Sequence, residues 1–120
     1  MGVIIKELLV GGGLIVLSVA SVGAGNALDL VDAVREGDRE AVRLLLKASM
    51  DVNVAQADGA TALAWAVHRD DLETVELLIE AGADVNAANV YRVTPLSLAC
   101  VNRNAIIVEK LLSSGANPDL

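Results

Sequence analysis

Thr61 to Ala87 reads TALAWAVHRDDLETVELLIEAGADVNA, and this stretch decides the fold. Apolar residues lie on both sides of Asp70-Asp71. Leu63 and neighbouring Ala residues form one short helical face, and Leu72, Val75, Leu78 and Ile79 form a second at helical spacing. Thr61 suits a helix N-cap, because its hydroxyl accepts a bond from a backbone N–H that the first turn leaves orphaned. Asp70-Asp71 breaks the first helix, and adjacent carboxylates there cap the next one and favour its dipole. Gly82 stands where a helix ends in a left-handed C′ residue. The polar stretch from Asp84 to Val93 reads as a turn projecting towards the next unit.

The same pattern recurs on either side without a gap. Leu28 onward gives LDLVDAVREGDREAVRLLLKASMDVNV, and Thr94 onward gives TPLSLACVNRNAIIVEKLLSSGANPDL, both offset by 33 residues from the central stretch. Leu30, Leu63 and Leu96 align, as do Val42, Val75 and Val108, and Leu45, Leu78 and Leu111. Leu46, Ile79 and Leu112 follow, Asp51-Val52-Asn53 falls on Asp84-Val85-Asn86, and Gly82 falls on Gly115. Pro95 occupies a first helical position, where its missing N–H costs nothing.

Thr-(Pro/Ala)-Leu-x-x-Ala, Val-x-x-Leu-Leu and Gly-Ala-Asp-Val-Asn at this period resemble the ankyrin repeat. The likeness runs from about Leu28 to Leu120. It implies an all-α ankyrin solenoid of about three helix-turn-helix units, over residues 28–57, 58–90 and 91–120, with finger loops along one edge. It also implies protein binding through the finger tips and the concave first helices, with no catalysis.

Some positions depart from that pattern. In the first row Ser49 replaces the terminal Gly, and Asp32, Arg35, Glu36, Arg39, Glu40 and Arg43 suit a solvated N-terminal cap. Arg92 stands where Gly59 stood, and a non-Gly residue at that turn is expected to strain or reshape its finger. Ile106 replaces the equivalent of exposed Glu73, and the chain stops within a finger, so further repeats are expected to follow in the natural protein.

Composition agrees with a helical stack. Hydrophobic residues make up 54% of the 120, yet aromatics are 2% and Phe is absent, so the core is built from Ala, Val, Leu and Ile. A net charge of −7 with nine basic residues argues against nucleic acid, whose phosphates need clustered Lys and Arg. Residues 1–24 read as a signal peptide, with an uncharged run from Leu8 to Ala24 behind Lys6, and cleavage expected before Gly25. An uncleaved membrane anchor is the rival, although the run is shorter than the roughly 20 residues a spanning helix needs. With residues 25–120 as the repeat domain, the expectation is a bacterial, exported, monomeric protein, periplasmic or secreted, or else anchored in the inner membrane. Membrane contact is expected only if the leader is retained.

His68 is the sole histidine and Cys100 the sole thiol, so no cluster for metal or general-base chemistry exists. No cofactor, metal or catalytic residue is expected. Cys100 aligns with Val34 and Val67 and reads as a small buried apolar group. The candidate protein-binding residues are Asp58, Trp65, His68, Arg69, Val90, Tyr91, Arg92 and Asn102. Trp65 is a natural hot-spot type, with packing between repeats as its alternative. His68 and Arg69 are placed by the resemblance at the concave end of a first helix. Tyr91 and Arg92 are placed at a finger tip. The partner is a protein whose identity the residues do not reveal; a recognition arm of a larger enzyme or effector is the competing reading.

Overall fold

A computed structural model describes residues 28–48 and 50–120. The expected signal segment at 1–24 and the departure at Ser49 lie outside the described residues. Six helices follow one another in pairs. They are α1 (Leu28–Glu36) with α2 (Arg39–Lys47), α3 (Ala62–His68) with α4 (Leu72–Glu80), and α5 (Pro95–Val101) with α6 (Ala105–Ser113). No strand occurs among the described residues; a single antiparallel bridge joins Ala55 to Thr61 at the base of one finger. No described helix is long and apolar enough to cross a membrane.

Each pair is closed by the same chemistry, in very few residues. α3 ends with Asp70 in the left-handed region (φ 56°), its N–H bonded to Val67 and that of Asp71 to Ala66. These two bonds are a Schellman closure, which satisfies carbonyls the helix end would orphan. Asp71 then turns at once into the N-cap of α4, its carboxylate accepting from the Thr74 N–H at 3.3 Å. Gly37-Asp38 does the same between α1 and α2, and Arg103-Asn104 between α5 and α6. One residue thus ends one helix and starts the next, which forces the two to lie side by side. Gly82 (φ 98°) and Gly115 (φ 101°) end α4 and α6 in the left-handed conformation expected of them. Thr61 and Thr94 cap α3 and α5, and Ser97 bonds back to the Thr94 N–H in a full capping box.

The core runs through the stack in layers of equivalent residues. Leu30, Leu63 and Leu96 are buried, with Ala33, Ala66 and Ala99, and with Leu45, Leu78 and Leu111. Each first helix packs on the next first helix, α1 on α3 and α3 on α5, and each second helix on the next second helix. The small Ala layer lets the first helices approach closely, and the Leu layer fills the space between the members of a pair. Each fully buried Leu contributes about 1.5–3 kcal/mol relative to exposure. Thr74 is the one polar residue buried within a helix among the described residues, and its hydroxyl donates to Asp71 at 2.7 Å.

One expectation fails. Cys100 is exposed, although Val34 and Val67 at its equivalent positions are buried. Those valines are covered by the following repeat, and no described repeat follows the third. Burial at this position comes from the neighbour and not from the residue's own unit.

Candidate protein-binding surface

The fingers are short turns whose geometry is set by Asx chemistry. In the first, the Asp58 carboxylate accepts from the Ala60 N–H at 3.0 Å, while Gly59 adopts φ 88°. In the second, Asn89 Oδ1 accepts from the Tyr91 and Val93 amides at 2.8 and 3.0 Å. Arg92 takes the left-handed conformation, φ 66°, at the place where the first finger has Gly59. The finger keeps its shape with Arg92 because Asn89 holds the turn from inside; the strain falls on one residue. The Val90 N–H donates to the Asp58 carbonyl at 2.9 Å and ties the two tips together. A Cβ on Gly59 would lie 2.9 Å from Asn89 Cα, so glycine is also what lets the fingers touch.

Between fingers and first helices lies a concavity of about 180 Å³, lined by Asp58, Ala60, Ala64, Trp65, His68, Asn89 and Leu98. Trp65 forms its wall. Its indole N–H donates to Gln56 Oε1 at 3.1 Å, the Arg35 guanidinium sits 5.1 Å from the ring centroid, and His68 meets it edge to face at 5.6 Å. Packing and cation–π attraction hold the ring while one side stays open. Trp65 is half-buried against the core, which leaves it available both to its own fold and to a ligand.

The proposed contact residues divide into three places. Asp58, Trp65 and His68 line the concavity. Val90 and Tyr91, 63% and 77% exposed, stand with Arg92 on the second finger outside it. Arg69 and Asn102 sit at the turns between paired helices. Arg69 donates to the Arg35 carbonyl at 3.0 Å; Asn102, one repeat later, donates to the Val67 and His68 carbonyls at 3.2 Å. Both therefore cap the preceding first helix from the next repeat, a structural use that the sequence reading did not foresee. Alignment held the clue, since the two occupy equivalent positions.

Two further networks were missed. Arg39 bonds Asp71 at 2.8 Å and Glu73 at 3.1 Å, and Arg43 pairs with Glu73, so the charged face of α2 clamps α4. Partial burial pushes the Asp71 carboxyl up. The bonds from Arg39 and from Thr74, with the Arg39 charge, outweigh that and hold it below its ordinary value. On the other side, Asn53 Oδ1 accepts from the Asp84 N–H at 2.7 Å and its amide donates to the Gly82 carbonyl; Asn86 repeats both bonds one unit on, with Asn117 and Gly115. Among the described residues no group of three or more His, Cys, Asp or Glu is placed to hold a metal ion.

Stacked helix pairs at a strict period, left-handed closures and paired fingers are now joined by a family comparison. Ankyrin repeats, in three copies, match residues 30–120. The chain belongs to the ankyrin repeat family. A search of the curated proteins finds no match. Ankyrin repeats are generally protein–protein interaction modules, typically without catalytic activity.

Proposed function

We propose that this chain is a non-enzymatic scaffold that binds another protein outside the cytoplasm. The partner lies along the second finger and the concavity beside Trp65. The observation that carries this reading is the exposure of Val90 and Tyr91 on a finger braced by Asn89 and by the Asp58 carbonyl. Large apolar side chains held out by a rigid turn lose little conformational entropy on binding, which is what a recognition surface needs. Tyr and Trp are also types that anchor interfaces, and here they stand at the two ends of one continuous edge.

Action outside the cytoplasm rests on the uncharged run from Leu8 to Ala24 behind Lys6. Retention of the same run would make a membrane-tethered scaffold instead. N-terminal sequencing of protein recovered from an exporting host separates the two, since a start near Gly25 supports release and a start at Met1 supports the tether. Binding is tested by affinity capture with the wild-type chain and the Tyr91→Ala/Arg92→Ala pair. Specific partners are expected to be lost from the variant; undiminished capture of every one would remove this finger from the site.

A further inference from the structure

The free end of the stack, formed by α5 and α6, presents a face that both earlier repeats keep covered. Cys100 is exposed where Val34 and Val67 are 2% and 0% exposed. Val108 is half-buried where Val42 and Val75 are fully buried, and Leu112 is 44% exposed where Leu46 and Ile79 are half-buried. With Ala105 these residues line an open concavity of about 870 Å³, edged by Arg103 and Glu109. The face continues, in register, the interface by which α3–α4 covers α1–α2 and α5–α6 covers α3–α4. Its required cover is therefore known in kind: an aliphatic helix pair.

The rest of the described surface narrows the choice. The outer end of the first repeat is charged, with Asp32, Glu36, Glu40 and Lys47 exposed, and gives an apolar face nothing to match. On a second copy, the aliphatic helix pair left uncovered is α5–α6 itself. We propose that this face pairs with the same face of a second copy, forming a closed two-fold dimer rather than the single copy expected from sequence. Isologous pairing sets apolar centre on apolar centre, and a rim carrying both Arg103 and Glu109 has each sign available to its copy. Because the face lies at the end of the stack, the fingers and the Trp65 concavity stay free in the dimer.

Sedimentation of the full chain across a wide concentration range tests this, with Leu112→Glu as the breaking variant and unchanged far-UV circular dichroism as the folding control. The wild type is expected to reach the mass of two chains and Leu112→Glu to stay at one. Should Leu112→Glu lose helicity, Cys100→Glu at the neighbouring exposed position takes its place. Copper-phenanthroline oxidation is expected to give a covalent pair through Cys100 in the wild type only. Cys100→Ser should lose that covalent pair yet keep the two-chain mass. A chain of single mass at every concentration would overturn the proposal, as would a dimer undiminished by Leu112→Glu. So would a single-mass chain that instead captures a different protein in a Leu112-dependent way. Finger binding is read on another surface, so either result stands without the other.

Discussion

Gly59 and Gly82 both hold left-handed backbone, at φ 88° and 98°, yet they answer to different constraints. At Gly82 an added Cβ meets nothing within 4 Å, so only the conformation resists substitution. At Gly59 it meets the backbone of Asn89 and Val90 at 2.9 and 3.2 Å, and backbone cannot step aside as a side chain can. Gly82→Ala is therefore expected to cost about 1 kcal/mol, the ordinary penalty for a left-handed L-residue. Gly59→Ala should cost clearly more, and urea melts of the two variants measure the difference. Arg92 shows the other side of the same point. The finger tolerates an L-residue at that position because the next finger's backbone does not crowd it in the described residues. Its departure from glycine was legible in the alignment; its tolerance was not, because that depends on what lies beside it.

Helix pairs carry the next level, and here charge matters. The lowered Asp71 carboxyl is an N-cap for α4 and an anchor for Arg39 of α2 at once. A group whose folded pKa is depressed adds stability that is present above its unfolded pKa, near 4, and lost as pH falls through the folded value. The stability difference between wild type and Asp71→Asn is accordingly expected to be largest at neutral pH and to shrink towards pH 3. Urea melts at both pH values check this, and a difference unchanged with pH would refute it. Sequence showed the cap, because Asp70-Asp71 falls between two helical patterns. It did not show Arg39 as the partner, since salt-bridge geometry depends on how two helices 32 residues apart come to rest. Asn53 and Asn86 were visible as a repeat of Asp-Val-Asn, and their ladder could have been read from that period.

The whole molecule is a line of nearest neighbours, so damage should spread by distance along the stack. Leu78 lies fully buried in the central pair, with a repeat on each side. Leu78→Ala is expected to destabilise the chain by about 3 kcal/mol and to lower hydrogen-exchange protection throughout. Leu111→Ala makes the same change in the last pair, and its loss of protection should concentrate in α5 and α6 while α1 and α2 hold. Equal loss everywhere in both variants would show one cooperative unit instead. From the sequence alone came the period, the helix pairs, the caps and the glycine ends, because each rests on residues within a few positions of one another. Only the tertiary structure decided which side of each pair is covered. Val34, Val67 and Cys100 occupy one place in the repeat, yet the first two are buried and the third is open. The reason is physical: in a stack, a residue's burial belongs to the neighbour that covers it.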